Sequence, residues 1–487
     1  MRIRSVKFNF IMNFILTASS IIFPLITFPY ISRVLLVEGS GKVAFASSVL
    51  TYFITFSSLG IPTYGIRACA KVRDDKEKLS MTVQELLIVN LVTTGLAYLI
   101  FVILLAVVPK FAAERTLLLV TSTGMLLNTV GVNWLYSALE QYAYITTRSI
   151  IFKFIGLILM FAFVKSPKDY IIYGGIYIIG SYGSLLLNFL RLGKVVSLKK
   201  TGKYDFKRHI RPVAVFFGMS AASSIYLNLD TVMLGFMKGD VEVGYYNAGV
   251  KVKTVLVSLV TSLGTVLLPR LSYYVQNEDK EAFYRTIGKA FQFVFVLALS
   301  VTVYFAIFAE ESILILAGKE FGGSVLPMII LMPTVLCIGL TNVMGIQMLT
   351  PMGKEYLVLK SIVYGAIVDF FLNLLIIPRF GASGAALSTT IAEAVVLVVQ
   401  CVYLRGILGK VLQNVKFGRI LFSIGCGTVA ACVVKLYVDL SPFFVMVVSV
   451  MAFYLIYGGA LVLLKEPFAL SMLEMGKNIL HRRRGEQ

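Results

Sequence analysis

Two charges in this chain most need a use. Asp230 sits inside SSIYLNLDTVMLGFM and Lys251 inside VGYYNAGVKVKTVLVSL, both deep in apolar runs. A Lys or Asp at mid-bilayer costs roughly 2.5–3.5 kcal/mol on insertion scales, so each needs a partner or a function. One reading is an ion pair between neighbouring helices. The other is that Lys251, with Lys253, holds an anionic headgroup. The two are compatible if Asp230 releases Lys251 when substrate arrives. Asp369 and Glu393 lie at comparable depth in later runs. They are candidates for proton or sodium coupling, or for a buried protonated acid or hydrogen-bonded pair. Arg33, Arg67 and Arg270 stand at helix ends, where they either snorkel or form cationic gates. Lys153 and Lys435 lie close to the ends of their runs and are expected to snorkel.

Helices must position these groups, and four carry a polar stripe at spacings of three and four. The first has Asn9, Asn13, Thr17, Ser20, Pro24 and Thr27. The second has Ser47, Thr51, Thr55 and Ser58. A later one has Ser220, Ser224, Asn228 and Thr231. The next has Asn247, Lys251, Thr254, Ser258, Thr261 and Thr265. Small hydroxyl residues also serve plain helix packing. Asn247 and Lys251 on one stripe favour a wet cavity, lined further by Tyr30, Tyr226, Thr27, Thr231, Asn228, Thr254 and Ser258. Most of the other Tyr and Trp read as interface belts or core.

Other chemistries find little to use. The two His lie in basic flanks, and the five Cys form no CxxC pair. No metal or catalytic centre is expected, and the Cys read as small core residues. Gly39-Ser40-Gly41-Lys42 superficially suggests a phosphate loop. Leu36 and Val43 stand where that loop needs Gly and Ser or Thr. No cofactor is expected. Energy would come from a proton or sodium gradient, the membrane potential or the substrate gradient.

The composition is 58% hydrophobic and 14% charged, with a mean hydropathy of +0.86. Soluble domains carry about 25% charged residues. Most of this chain therefore lies in a bilayer, as helices, because the apolar runs are continuous. Fourteen runs appear, near 9–32, 43–66, 84–108, 115–138, 147–165, 169–190, 212–236, 244–269, 288–309, 324–350, 356–377, 383–404, 417–437 and 442–464. With both termini in the cytoplasm, the inner segments hold the large majority of the 45 Lys and Arg. That distribution accounts for most of the net charge of +20 without nucleic acid.

Ser58-Leu59-Gly60 recurs as Ser262-Leu263-Gly264, and Asp75-Lys76-Glu77 as Asp279-Lys280-Glu281. The repeat is parallel, because six runs separate its copies. The expected fold is all-α integral membrane. It has fourteen transmembrane helices, in two parallel six-helix repeats forming two bundles around a central cavity, plus two C-terminal helices. The expected segments are an N-terminal bundle (1–192), a basic cytoplasmic linker (193–211), a C-terminal bundle (212–404), two added helices (405–464) and a basic cytoplasmic tail (465–487).

FPYISRVL, EGSGKVAFASS, LGIPTYGIR and RDDKEKLS, with DTVMLGFM, VGYYNAGVKV, LPRLS and IPRFGASGAALSTTIAEAV, resemble the bacterial polysaccharide flippases. These belong to the multidrug/oligosaccharidyl-lipid/polysaccharide exporter superfamily. The resemblance covers residues 8–464 and implies transport of undecaprenyl-diphosphate-linked repeat units of capsule or O-antigen. It implies alternating access in the bacterial cytoplasmic membrane, with a polysaccharide polymerase and export machinery as partners. A monomer is expected. Basic cavity residues are a feature of the family; Lys251, Lys253, Arg33, Arg67 and Arg270 are the positions that fill it here. Alternatives are a peptidoglycan-precursor flippase or a drug/cation antiporter of the same superfamily. A membrane glycan polymerase or glycosyltransferase is the alternative from another class. The antiporter is disfavoured by the lack of an acid within the first two runs. The enzyme is disfavoured by the short outer loops.

Overall fold

The computed structural model describes residues 5–200, 202–413 and 415–474. Most of the expected basic tail thus lies outside the described residues. Twelve of the eighteen α-helices among the described residues are labelled α1 (Val6–Ser58), α2 (Ile61–Ala70), α3 (Lys76–Val107), α4 (Arg115–Val130), α5 (Tyr142–Phe163), α6 (Tyr170–Ile178), α7 (Lys207–Met237), α8 (Asp240–Gln276), α9 (Lys280–Ile307), α10 (Glu355–Leu412), α11 (Phe417–Tyr437) and α12 (Pro442–Leu463). No strand occurs among the described residues. Ten helices there are long and apolar enough to cross a membrane, or twelve if two bent pairs each count as one span. The all-helical membrane class follows from the continuous apolar runs, and the chain adopts it.

The count differs from the fourteen runs for a visible reason. Helix α1 has 53 residues and α10 has 58, so each takes up two runs. Both are broken by one left-handed residue: Leu36 (φ 59°, ψ −170°) in α1 and Gly381 (φ 54°, ψ −130°) in α10. In α10 the break is a reversal. Gln400 Nε2 donates to Ser361 Oγ at 3.0 Å. In a straight helix those residues would lie about 58 Å apart. Glycine suits such a turn because it carries no Cβ penalty at positive φ.

Helix α1 reverses too. Its first arm (6–35) runs alongside α5: Thr146 Oγ1 donates to Met12 O at 2.8 Å and Tyr30 Oη donates to Val164 O at 2.8 Å. Its second arm (37–58) runs alongside α4. Lys42 pairs with Glu114 at 3.0 Å, and Asn128 Nδ2 donates to Ser58 Oγ at 3.1 Å. Helix α6 runs with α4, with Gly174 beside Leu117 and Ile178 beside Gly124; it and its continuation run against α5, with Gly180 beside Gly156. So α4 and α5 are antiparallel, and the two arms of α1 must be as well. A leucine in this region of backbone space costs on the order of 1–3 kcal/mol, which the packing of both arms must offset.

The chain divides into two compact units between Asn247 and Ala248. The division falls inside α8 and not in the basic linker, because α7 packs antiparallel along the second arm of α1. Phe45 meets Phe236 edge-on at 5.4 Å, Thr55 Oγ1 donates to Ser224 Oγ at 2.9 Å, and Tyr52 Oη donates to Ile225 O at 3.3 Å. Connectivity and packing therefore divide the chain at different places. In the second unit, α11 and α12 dock on α9. Tyr304 stacks on Phe308 at 4.7 Å and its hydroxyl lies 2.7 Å from Ser449 Oγ, while Tyr457 Oη donates to Val296 O at 2.7 Å.

The sequence repeat has a structural counterpart at its caps. Asp75 accepts from Glu77 N and Lys78 N at the start of α3, and Asp279 accepts from Ala282 N at the start of α9. Each side chain satisfies amides that a helix start leaves open.

Candidate functional site

In the first unit, the polar stripe on the first arm of α1 is uneven. Asn9 is buried and its Nδ2 donates to Glu140 at 3.4 Å. Asn13, Thr17 and Ser20 are exposed, and Thr27 is half-buried with its hydroxyl on Pro24 O. A cation reaches this stripe. Lys153 Nζ on α5 donates to Ser19 Oγ at 2.8 Å and to Ser20 Oγ at 2.9 Å, beside the Phe23 ring. The expectation of a snorkelling Lys153 is corrected here: the side chain crosses to the neighbouring helix. Part of the signal was available, since Lys153 stands within the apolar stretch IIFKFIGLILMF. Arg148, one turn and a half earlier, is buried; its guanidinium donates to Ser184 Oγ at 2.6 Å and to Asn133 Oδ1. The run near 147–165 begins too late: α5 starts at Tyr142 and carries Arg148 well inside the helix.

Arg33 and Arg67 are exposed, and Arg33 also donates to Pro29 O at 2.6 Å. The ring of Tyr30 meets Phe161 edge-on at 4.6 Å, and its hydroxyl is engaged by Val164 O. On α7, Asn228 Nδ2 donates to Ser224 O at 3.0 Å and Tyr226 is half-buried. Asp230 is buried and accepts from Tyr246 Oη at 2.6 Å. One residue along each helix, Asn247 Nδ2 reaches Thr231 Oγ1 at 3.5 Å.

Two polar clusters mark opposite ends of this unit. At the turn of α1, Lys42 pairs with Glu38 and Glu114, and Lys110 pairs with Asp240 at 2.6 Å. There the backbones nearly touch: a Cβ on Gly41 would fall 1.8 Å from Asp240 O. At the other end, buried Glu85 on α3 gathers the linker. It accepts from Asp205 N at 2.6 Å, from His209 Nε2 at 2.8 Å and from Arg208. Tyr64 Oη lies 2.8 Å from His209 Nδ1, and Gln84 Nε2 donates to Ser197 O and Lys199 O. Sequence reading saw His209 only as part of a basic flank, because its acid lies more than a hundred residues upstream.

In the second unit, α8 presents Lys251 and Thr254 exposed, with Lys253 and Ser258 half-exposed. The Thr254 and Ser258 hydroxyls bond back to Val250 O and Thr254 O at 2.8 and 2.7 Å. The side chain of Thr265 lies outside the described residues. Arg270 is exposed, and its Nε donates to Tyr274 Oη at 2.6 Å. Lys435, in the last turn of α11, pairs with Glu311 at 2.8 Å and donates to Ile307 O at 3.0 Å.

Asp369 and Glu393 lie on opposite arms of the α10 hairpin. The register that joins Ser361 to Gln400 sets Asp369 level with Ala392 and Glu393. Ser361, Asp369, Asn373, Ser388, Glu393 and Gln400 are all buried, forming a polar seam along the hairpin. No group of three or more His, Cys, Asp or Glu arranged to hold a metal occurs among the described residues. Residues Gly39–Lys42, which fall between two runs in the sequence, are helical.

The family model described as "Polysaccharide biosynthesis protein" matches residues 6–275. The chain belongs to that family. An Escherichia coli (strain K12) protein named "Putative O-antigen transporter" is 24% identical over 415 residues, which are 82% of this chain and 97% of that protein. This family member also shares its fold with solved structures. One is titled "Lipid II flippase MurJ, inward closed conformation"; it has a TM-score of 0.67 and 16% identity, over 91% of this chain and 96% of that one. Another is an inward-facing multidrug resistance MATE family transporter of the MOP superfamily, with a TM-score of 0.64 and 13% identity, over 80% and 94%. The family recognised from the motifs is the one whose model matches.

Proposed function

We propose that this polysaccharide biosynthesis family member is a transporter that moves undecaprenyl-diphosphate-linked oligosaccharide units from the inner to the outer leaflet by alternating access. The observation that carries this reading is Lys153, held by Ser19 and Ser20 on a membrane helix whose neighbouring Asn13 and Thr17 are exposed. A diphosphate needs a cation and polar donors within the apolar layer, and the family and the transporter named in Escherichia coli supply the glycan context. The exposed Lys251, Thr254 and half-exposed Lys253 and Ser258 of the second unit offer the same chemistry.

The hairpins support a proposed membrane arrangement. Each arm of α1 and α10 makes its own crossing, and each bent pair makes one, giving fourteen with both termini in the cytoplasm. The membrane is the bacterial inner membrane. The buried seam with Asp369 and Glu393, and Asp230 in the first unit, are where a proton or sodium gradient would couple. The chain works as a monomer, feeds a polymerase and export machinery, and catalyses no bond change.

The deciding experiment is deletion of the chain in its host, followed by structural analysis of the lipid-linked glycan that accumulates. Accumulation of an O-antigen or capsule repeat unit on the inner leaflet supports the reading. Accumulation of the peptidoglycan precursor instead would replace it, and an unchanged lipid-linked pool would sink it.

A further inference from the structure

The starts of α3 and α9 are repeat-related, and what covers them differs. On α3, Glu85 is buried under the linker, with Asp205, Arg208 and His209 bonded to its carboxylate and Gly202 beside Met81. At the repeat offset, Glu85 corresponds to Lys289 and Met81 to Arg285. The acid has become a base, and among the described residues a cavity opens there in place of a covering segment. A cavity of about 540 Å³ lies there, lined by Glu281, Arg285, Lys289, Lys410, Lys416 and Ser471 among others. A second cavity of about 380 Å³ shares Arg285 and Lys289 and adds Arg270.

Five cations from α8, α9, the end of α10 and the residue before α11 thus line two cavities that share Arg285 and Lys289, with one acid, Glu281, on the lining. Among the described residues, Arg285, Lys289, Lys410 and Lys416 enter no ion pair. The wall is built. Phe468 packs on Phe293 at 5.9 Å, Phe417 on Phe295 at 4.8 Å, and Glu466 caps the helix over residues 467–474 by accepting from Ala469 N at 2.7 Å. Next to Lys416, Phe417 and Leu421 are 41% and 58% exposed, an apolar surface fit for an acyl chain beside the charged cavity. Like charges gathered this closely repel, and a phosphate oxygen cluster relieves that repulsion through charge-assisted hydrogen bonds.

We propose that this cavity binds the phosphate headgroup of an anionic phospholipid of the surrounding membrane. In the first unit a basic segment of the chain covers an acid. In the second unit a lipid anion covers the bases. The proposal stands or falls independently of the transport reading.

The test uses the purified full chain in detergent, titrated with dioctanoyl phosphatidylglycerol, dioctanoyl phosphatidylcholine or inorganic phosphate, and read by native mass spectrometry and thermal shift. Phosphatidylglycerol is expected to bind about tenfold tighter than phosphatidylcholine. Arg285→Gln with Lys289→Gln should abolish that preference, as should Lys410→Gln with Lys416→Gln. Lys71→Gln with Lys76→Gln removes the same charge from an exposed site in the first unit and should leave it intact. Equal binding of the two lipids overturns the proposal. So does equal loss in the Lys71/Lys76 variant, or full competition by inorganic phosphate at the lipid's own concentration.

Discussion

Tyr246 Oη donates to Asp230 Oδ2 at 2.6 Å, so one acid buried in the membrane has a neutral donor from the next helix. Hydrogen bonds to a charged or strongly polar acceptor contribute about 1.5–3 kcal/mol. Tyr246→Phe should therefore lower the thermal midpoint of the detergent-solubilised protein. Asp230→Asn combined with it should cost less than the two single changes added together. Strict additivity in that double-mutant cycle would show that the bond carries no coupling.

At the turn of α1, Gly41 leaves no room for a side chain against Asp240. Gly41→Ala must push the second arm away from the start of α8. The Lys110–Asp240 pair, partly buried at that same contact, should loosen with it. Cross-linking of a cysteine pair introduced at Lys110 and Asp240 should fall several-fold in the Gly41→Ala background. Undiminished cross-linking would mean that the two helices absorb the methyl group elsewhere.

The linker is held by Glu85. Glu85→Gln keeps the shape but weakens the bonds to Arg208 and His209, by about 1–3 kcal/mol. Trypsin should then cleave at Lys199, Lys200 or Lys203 roughly tenfold faster or more than in the parent chain, since cleavage follows the open population. An unchanged cleavage rate would assign the attachment to Gln84 instead.

Lys153→Ala should reduce glycan export by about tenfold or more while membrane insertion is retained, as expected for loss of one charge-assisted contact. Lys153→Arg should restore part of it. Wild-type export by a well-expressed Lys153→Ala chain would remove this residue from the transport path, and Lys251→Ala applies the same measurement to the second unit.

Cys69 on α2 is fully buried, and burial pushes its thiol up to about 12. The thiolate fraction at pH 8 is then on the order of 10⁻⁴. Maleimide should not label Cys69 in the folded protein between pH 7 and 9, and should label it after denaturation. The sign for stability follows from the raised value. The contribution is complete below the ordinary thiol range near pH 8.5, and is lost as pH rises toward 12. Rapid labelling of the native chain would show that α2 opens readily.

Much of the fold was legible because the bilayer enforces it. Continuous apolar runs, Lys and Arg placement, and the recurrence of Asp75-Lys76-Glu77 gave the class, the repeat and two capped helix starts. The turns were less legible. The gap between the first two runs reads as a loop around Glu38-Gly39-Ser40-Gly41, but the chain turns at Leu36 alone and resumes its helix at once. Leucine gives no warning of a positive φ, whereas Gly381 does. Site residues were legible as charges in apolar runs but not as partnerships. Lys153 and Ser19, Lys435 and Glu311, and Glu85 and His209 are each joined across more than a hundred residues. No local periodicity encodes such a meeting.

A hairpin that turns on one residue has no slack. The two arms of α10 cannot slide past each other by a helical turn without breaking both the Gly381 corner and the Ser361–Gln400 bond. In any rearrangement of the fold that keeps this corner, the pair would travel as one stiff lever. Asp369 and Glu393 would then keep their mutual level, and only what approaches them from other helices would alter their surroundings.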